Sequence, residues 1–162
     1  MDTQSLARAV GSLLLQQHLT LGLAESCTGG MVSSYITDIA GSSAYFEGGI
    51  VAYSYQVKEH VLGVPAGVLE RDGAVSAEAV MSMARGARKA LNVDVAVAIT
   101  GIAGPSGGTP DKPVGLTYIG LNSGRGELCR KYIWKGDRRQ NREKSARAAL
   151  ELLKEHLESI GE

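Results

Sequence analysis

The chain has 162 residues, of which 44% are hydrophobic and 21% are charged, as is typical of one globular domain of ordinary composition. Its 17 basic and 17 acidic residues cancel, which argues against a protein that binds nucleic acid through overall positive charge. No apolar run approaches the roughly 20 residues that span a bilayer, and residues 1–10 lack the pattern of a secretion signal. We therefore expect a cytoplasmic protein with no membrane partner and no nucleic-acid partner.

Cysteine and histidine are too few and too scattered to indicate a metal site. Cys27 and Cys129 are the only cysteines, and the three histidines stand singly, without the spacing of metal ligands. We expect reduced thiols, no metal and no cofactor. Glycine is abundant instead, with 21 residues, and clustered glycines are typical of tight turns and of loops whose backbone approaches a ligand. The clusters lie at 29–30, 48–49, 101–108 and 120–126.

The first part of the chain alternates between helical and strand-like patterns. Apolar residues at helical spacing predict amphipathic helices, and short apolar runs between them predict strands. Glycines and serines at 41–43 end the second helix. The predicted elements are a helix at 2–18, a strand at 19–24, a helix opening at 28–30, a strand at 49–54 and a short helix at 56–62.

The second part of the chain continues this alternation, which predicts an α/β fold with helices covering a mixed sheet. We find no repeat and no linker, so we expect a single domain over 1–162. Ser76 and Asp137 are predicted helix N-caps. The predicted elements are a helix from 76 to 91, a buried strand at 93–100, a glycine- and proline-rich loop at 101–113, a hairpin of strands at 116–121 and 128–134, and a long final helix.

The first candidate for chemistry is Ser26, which follows a predicted strand and precedes a glycine-rich helix start. A hydroxyl in that position lies near free backbone N–H groups, which together with the helix dipole stabilise an oxyanion. The arrangement resembles the nucleophile elbow of hydrolases, although the Gly-x-Ser-x-Gly pattern is absent. From these residues alone, an N-cap role for Ser26 stays open. Cys27 is a competing nucleophile that we interpret as a small buried side chain.

A serine nucleophile needs a proton acceptor, and no histidine has an obvious place beside Ser26. Lys58 lies on the short helix that follows a predicted strand, in the segment Tyr53-Ser54-Tyr55-Gln56-Val57-Lys58. Burial disfavours the ammonium form of a lysine and lowers its pKa, which allows it to act as a base. Taken alone, Lys58 is also compatible with an ordinary surface lysine.

Two further segments suit an anionic ligand. The loop at 100–109 follows an apolar strand, where the ligands of α/β sheets bind, and its N–H groups suit a phosphate. It matches neither the dinucleotide fingerprint nor the P-loop, so a plain turn stays open. Arg138 and Arg142 share a helical face and suit a phosphate through charge-assisted bonds, with a solvated basic turn as the alternative. The loop residues singled out are Thr100, Gly101, Gly104, Gly107 and Gly108.

Together these segments resemble the nicotinamide-nucleotide amidohydrolase family, also called the CinA C-terminal domain family. Order and spacing agree across nearly the whole chain, which is more specific than any single motif. The matching stretches are Ala-Glu-Ser-Cys-Thr-Gly-Gly at 24–30, Ala-Gly-Ser-Ser at 40–43, Tyr53-Ser54 with Lys58, Gly-Ala-Val-Ser at 73–76, the glycine loop at 101–108, Lys-Pro-Val-Gly at 112–115 and Gly-Asp-Arg at 136–138.

The resemblance implies a three-layer α/β/α sandwich and an activity in pyridine nucleotide salvage. The implied reaction hydrolyses the carboxamide of nicotinamide mononucleotide to nicotinic acid mononucleotide and ammonia. The family's serine–lysine dyad falls on Ser26 and Lys58, with Tyr53 beside it. In this mechanism Ser26 attacks the amide carbon, neutral Lys58 takes the hydroxyl proton and later protonates the departing ammonia, and water releases the acyl group.

The remaining site residues follow from the same resemblance. We expect backbone N–H groups of Thr28, Gly29 and Gly30 to form the oxyanion hole. The glycine loop, together with Arg138 or Arg142, is expected to bind the phosphate. We also expect the protein to form a homo-oligomer.

Two features separate this chain from the family's usual pattern. Asparagine often follows Tyr-Ser in the family, whereas this chain has Tyr55, so affinity or substrate choice is expected to differ. The larger N-terminal domain of two-domain relatives is absent from the sequence, so we expect no pyrophosphatase activity from it.

The alternative function is a catalytically inactive nucleotide-binding or oligomerisation module of the same fold. Release of ammonia distinguishes an amidase from such a module. A metal-dependent phosphohydrolase lacks the acidic cluster that it needs.

Overall fold

A computed structural model describes residues 1–161 as helices packed on both faces of a five-stranded sheet. The strands are β1 (Leu21–Glu25), β2 (Phe46–Val51), β3 (Val95–Gly101), β4 (Leu116–Ser123) and β5 (Gly126–Ile133). The helices are α1 (Thr3–Gln16), α2 (Met31–Thr37), α3 (Tyr55–His60), α4 (Ala66–Asp72), α5 (Ala77–Leu91) and α6 (Arg138–Ile160), with a 3₁₀ turn at Ser42–Ala44.

The sheet is mixed, with strand order β2-β1-β3-β4-β5. β1 lies between β2 and β3 and pairs with both in parallel, whereas β4 and β5 extend the sheet in antiparallel fashion. Because parallel strands end at the same edge of a sheet, the segments that follow β1, β2 and β3 meet there. This edge is where an α/β sheet of this kind binds its ligands.

The two faces of the sheet carry side chains of different size. Leu23, Val97 and other branched residues face α1, α2 and α6, where they form the larger core. Ala96 and Ala98 alternate with them and face α5, because successive residues of a strand point to opposite faces. Helices therefore cover both faces, and the expected three-layer α/β/α sandwich is confirmed.

Small residues allow α5 to lie close to its neighbours. A Cβ atom built on Gly86 would lie 1.7 Å from the carbonyl oxygen of Leu62, and one built on Gly120 would lie 2.9 Å from Sδ of Met81. Both distances are shorter than van der Waals contact, so only glycine fits at Gly86 without backbone movement. The position of α5 therefore depends on residues that lack a side chain.

Most predicted elements are present, with two corrections. The second strand covers Phe46–Val51 rather than 49–54, because the chain turns out of the sheet after β2 to begin α3. Helix α4 has no counterpart among the predicted elements. The caps at Ser76 and Asp137 are confirmed, since their side chains accept the N–H groups of Ala79 and Gln140. Within residues 1–161, no helix combines the length and apolar character needed to cross a membrane.

Candidate active site

Ser26 is held at the ligand-binding edge of the sheet, directly after β1. Its N–H donates to the Ile99 carbonyl of β3 at 3.0 Å, and the neighbouring Glu25 carbonyl accepts the N–H of Ala52 at 2.8 Å. The N-cap of α2 is Gly30, so the interpretation of Ser26 as the cap of that helix is wrong. The serine is instead fixed between the ends of two neighbouring strands.

Lys58 reaches Ser26 because α3 follows β2 after a tight turn. The hydroxyl of Ser54 accepts the N–H of Val57 at 3.1 Å and begins the helix. The side chain of Lys58 is 1% exposed, which excludes the surface-lysine interpretation. Its Nζ lies 2.9 Å from Oγ of Ser26, 2.8 Å from the Ala52 carbonyl oxygen and 2.9 Å from the Tyr53 carbonyl oxygen.

These three contacts suit a neutral amine as well as an ammonium group. Burial lowers the pKa of Lys58 from 10.5 to about 8, and among residues 1–161 no carboxylate forms an ion pair with it. A neutral amine has two N–H bonds and one lone pair. Since two carbonyl oxygens accept the two N–H bonds, the lone pair is left for the hydroxyl proton of Ser26. The arrangement can therefore deprotonate a serine.

Cys27 is also at the site, but its thiol is poorly suited to act as a nucleophile. Burial raises the pKa of Cys27 to about 11, and the thiolate is the reactive form of cysteine. The thiol packs against β3, since a Cβ atom on Gly101 would lie 3.1 Å from Sγ. The interpretation of Cys27 as a small buried side chain agrees with this packing.

Glu25 is a buried carboxylate whose role was not predicted from the sequence. Its oxygens accept the hydroxyl of Thr28 at 2.7 Å and the N–H of Val32 at 2.9 Å, and they also accept both the N–H and the hydroxyl of Ser33. The N–H groups belong to the first turn of α2, where a helix favours negative charge. Glu25 therefore ties the loop after Ser26 to α2. An acidic residue a few positions before a helix start is the signal that could have indicated this role.

The first turns of α6 hold both loops of the site. Arg138 donates to the Gly104 carbonyl at 2.8 Å, and Asn141 donates to the Ala103 carbonyl at 3.0 Å. Arg142 donates to the carbonyls of Cys27 and Thr28 at 2.9 Å and 3.0 Å. The guanidinium of Arg142 thus holds the loop after Ser26, and its expected role in phosphate binding stays a prediction.

A cavity of about 230 Å³ opens in front of Ser26 and Lys58. Among the other residues singled out from the sequence, it takes in Tyr53, Thr100, Gly101 and Arg138. The lining also includes Ala74, Val75 and Ala103, which were not predicted to be site residues, and Tyr55, which was predicted only to be a departure from the family pattern. The complete lining is Ser26, Cys27, Tyr53, Tyr55, Lys58, Ala74, Val75, Thr100, Gly101, Ala103 and Arg138.

The remaining expected binding residues lie outside this lining, and several of them have contacts within the chain. The hydroxyl of Thr28 donates to Glu25, and the N–H of Gly29 donates to the Ser26 carbonyl at 3.1 Å. Gly29 and Gly30 adopt positive φ angles of 60° and 104° that turn the chain into α2. The carbonyl of Gly104 accepts Arg138. The residues outside the lining are Thr28, Gly29, Gly30, Gly104, Gly107, Gly108 and Arg142.

Tyr55 and Thr100 fix the opposite wall of the cavity. The hydroxyl of Tyr55 accepts the N–H of Ala74 at 3.3 Å, and the hydroxyl of Thr100 donates to the Ala74 carbonyl at 2.8 Å. Both contacts join segments far apart in the chain, so no local pattern indicates them. Tyr55 thus connects α3, which carries Lys58, to the segment that precedes α5.

A second serine–base pair lies at the other end of the sheet. Oγ of Ser123 is 3.0 Å from Nε2 of His156, and it also accepts the N–H of Arg125 in the β4–β5 turn at 3.1 Å. The cavity that Ser123 lines, about 420 Å³ in volume, is larger than that at Ser26. Ser123 lies at the amino end of the parallel strands, and its hydroxyl forms a hydrogen bond within the β4–β5 turn. Both observations favour a structural role for this serine–histidine pair. Ser26 is the better nucleophile candidate.

Comparison with known proteins finds relatives that carry the name "CinA-like protein". A "CinA-like protein" of Geobacter sulfurreducens is 49% identical over 92% of this chain, and a "CinA-like protein" of Geotalea daltonii is 47% identical over 96%. The chain spans only 36% and 38% of the length of these relatives. They therefore show the family of this region and not the activity of a whole protein.

Solved structures match the chain over nearly its full length. The competence/damage inducible protein CihA from Agrobacterium tumefaciens is 39% identical, with a TM-score of 0.92 and 94% coverage of both chains. A competence-damaged protein (CinA) superfamily protein from Klebsiella pneumoniae is 31% identical, with a TM-score of 0.94 and coverage of 98% and 99%. The family model described as "CinA C-terminal domain" matches residues 3–157. The chain belongs to the CinA C-terminal domain family.

Proposed function

We propose that this chain is an amidohydrolase that deamidates nicotinamide mononucleotide with Ser26 as nucleophile and Lys58 as base. The observation that carries the proposal is the 2.9 Å contact between Nζ of Lys58 and Oγ of Ser26, formed by a buried lysine whose other contacts are two carbonyls. A serine is a weak nucleophile unless a neighbouring base accepts its proton. This pair supplies that base without a histidine.

The proposed reaction has two steps. Oγ of Ser26 attacks the carboxamide carbon while Nζ of Lys58 takes its proton. The lysine then protonates the leaving nitrogen, which departs as ammonia and leaves an ester on Ser26. Water attacks this ester, Lys58 accepts a proton from the water, and that proton returns to Oγ as the carboxylic acid leaves and ionises to the carboxylate in solution.

Backbone N–H groups beside Ser26 are candidates for the oxyanion hole. Within residues 1–161, the N–H groups of Cys27, Thr28 and Gly30 donate to no backbone carbonyl, whereas that of Gly29 is bonded to the Ser26 carbonyl. Donors aimed at the developing oxyanion typically contribute a factor of about 10²–10³ to kcat each. We therefore remove Gly29 from the proposed oxyanion hole and add Cys27, so that the candidate donors are the N–H groups of Cys27, Thr28 and Gly30.

The residues at the open side of the cavity suit a substrate that carries a cationic ring and an anionic group. Tyr53 and Tyr55 line the cavity and are 63% and 54% exposed. Aromatic faces attract a cation, and the pyridinium of the mononucleotide is one. Arg138 lines the same cavity and suits the phosphate.

Release of ammonia from nicotinamide mononucleotide tests the proposal. We expect the wild-type chain to release stoichiometric ammonia and nicotinic acid mononucleotide, and Ser26→Ala to lose at least about 10³-fold in kcat, as removal of a nucleophile does. Cys27→Ala is the matched control, because it removes a neighbouring nucleophile of similar size and should keep most of the activity.

The same assay distinguishes the alternative of an inactive nucleotide-binding module. That module would bind the mononucleotide in calorimetry while the wild-type chain releases no ammonia. Near-normal turnover by Ser26→Ala would assign the chemistry to another residue.

A further inference from the structure

The cavity in front of Ser26 contains a single ordinary base. Within the described part of the chain, its lining includes no histidine and no carboxylate. The guanidinium of Arg138 keeps its charge and cannot accept a proton, and the hydroxyl of Thr100 already donates to the Ala74 carbonyl at 2.8 Å. Lys58 therefore carries out every proton transfer of the proposed reaction.

The amine of Lys58 is held in one place throughout that reaction. Its Nζ lies 2.9 Å from Oγ of Ser26, and the carbonyl oxygens of Ala52 and Tyr53 hold it at 2.8 Å and 2.9 Å. The nitrogen that leaves in the first step takes its proton from Nζ, and the water that attacks in the second step gives its proton to the same atom. Leaving group and attacking group must therefore occupy the same position, beside Nζ and the ester carbon.

That position accepts nitrogen as well as oxygen. The reverse of the first step is attack of ammonia on the ester of Ser26, with a proton of the ammonia passing to Lys58. Forward and reverse reactions share one transition state, and an enzyme is complementary to the transition state. A site that releases ammonia from this ester therefore also stabilises the attack of an amine on it.

We propose that the site transfers the acyl group of Ser26 to small neutral amines such as hydroxylamine, in addition to water. This activity rests on the proposed amidohydrolase function, because it starts from the same ester. The amine nitrogen forms a bond to the ester carbon, the bond between that carbon and Oγ breaks, and a proton of the amine passes through Nζ of Lys58 to Oγ. The products are an N-substituted amide of the mononucleotide and free Ser26.

The size of the cavity limits which amines can react. Its volume of about 230 Å³ must also hold the pyridinium ring, so only an amine of a few atoms fits beside Lys58. Tyr53 and Tyr55 line the cavity and are 63% and 54% exposed, so the cavity is open to a small nucleophile from solvent. We therefore expect hydroxylamines with small substituents to react and those with an aromatic substituent to be excluded.

Incubation of nicotinamide mononucleotide with the wild-type chain and increasing hydroxylamine tests the proposal. We expect the hydroxamic acid of the mononucleotide, measured by mass spectrometry, to form in proportion to hydroxylamine and at the expense of nicotinic acid mononucleotide. Ser26→Ala measures the uncatalysed background. Normal release of ammonia with nicotinic acid mononucleotide as the only product would overturn this inference and leave the proposed function intact. No release of ammonia at all would overturn both.

O-methylhydroxylamine and O-benzylhydroxylamine form a matched pair of acceptors, because they carry the same reactive nitrogen and differ in size. We expect the benzyl compound to give about tenfold less transfer product or lower still, since a pocket that fits one substrate rejects a larger one by steric clash. Equal yields from the two compounds would overturn the size-limited position beside Lys58.

The dependence on pH tests whether Lys58 serves both acceptors. Hydroxylamine is neutral at the pH where Lys58 titrates, about 8, so transfer and hydrolysis should both become faster as the pH rises through that value. Because one base activates both nucleophiles, the ratio of hydroxamic acid to nicotinic acid mononucleotide should stay constant over this range. A ratio that falls steadily as the pH rises would show that hydroxylamine attacks without Lys58, which would overturn the shared position.

Discussion

At the residue scale, the protonation state of Lys58 decides whether the site works. An ammonium group would donate all three of its hydrogens, to Ser26, Ala52 and Tyr53, and would have no lone pair to accept a proton. Loss of one proton leaves the two carbonyl contacts satisfied and frees the lone pair that faces Ser26. The carbonyls thus orient the amine in its reactive form.

The pKa of Lys58 predicts how activity depends on pH. Because burial lowers this pKa to about 8, kcat should rise with pH through that value and level off above it. Lys58→Arg keeps a cation but cannot act as a base at these pH values, so we expect at least a 10²-fold loss of kcat. Steady-state measurement of kcat against pH, for the wild type and for Lys58→Arg, tests both expectations. Substantial activity of Lys58→Arg would show that Lys58 acts only through its charge.

Arg138 and Arg139 offer a matched pair for testing phosphate recognition. Arg138 lines the cavity, whereas Arg139 is exposed and paired with Glu143. We expect Arg138→Met to lower kcat/KM for nicotinamide mononucleotide about tenfold or more and to change that for nicotinamide riboside little. Arg139→Met should leave both values unchanged. An equal loss on both substrates would indicate that Arg138 only supports the Gly104 loop.

At the element scale, two helices carry out different tasks at the site. Helix α3 is short and brings Lys58 back toward the turn from which it starts. Helix α6 is long, and its first turns hold two loops through Arg138, Asn141 and Arg142. Its remaining length packs in the larger core, so the same element that stabilises the fold also positions the loop after Ser26.

Two glycine-to-alanine substitutions, one in α5 and one in α4, are expected to change the free energy of unfolding in opposite directions. In Gly86→Ala the new methyl group would overlap the Leu62 carbonyl, so we expect the free energy of unfolding to fall by about 1–3 kcal/mol. Gly67→Ala in α4 meets nothing within 4 Å and should raise it by about 0.5–1 kcal/mol. Urea denaturation of both variants measures the difference. An unchanged free energy of unfolding in Gly86→Ala would mean that α5 shifts at little cost to make room for the methyl group.

At the scale of the whole molecule, the site couples protonation to folding. A lysine with a pKa of about 8 when folded and 10.5 when unfolded binds fewer protons in the folded state between these values. The free energy of unfolding therefore rises with pH across that window. The thiol of Cys27, whose pKa is raised from 9.0 to about 11, has the opposite effect, because the folded state keeps a proton that the unfolded state loses.

Comparison with Lys58→Met tests the contribution of the lysine to the free energy of unfolding. Both proteins keep Cys27, so the difference between their free energies of unfolding reports Lys58 together with its charge interaction with Cys27. We expect the wild type to gain about 3 kcal/mol relative to Lys58→Met between pH 8 and pH 10.5. Chemical denaturation across this range measures it, and a constant difference would mean that Lys58 titrates normally.

Local patterns predicted much of the fold and part of the site. The buried strand before Thr100, the hairpin and the caps at Ser76 and Asp137 depend on residues within a few positions of one another. The position of Ser26 after a strand was also readable locally. Helix α4 was missed because it is short, contains Gly67 and has no side-chain cap.

The sequence by itself determined the order of elements, the amphipathic faces and the placement of Ser26 at the end of β1, because these follow from periodicity and neighbouring residues. Only the tertiary structure decided that Lys58 is buried against a serine 32 positions away, and that Arg142 donates to a carbonyl 115 positions away. Burial and hydrogen-bond partners set the protonation state and availability of a charged side chain, and both are properties of the packed molecule.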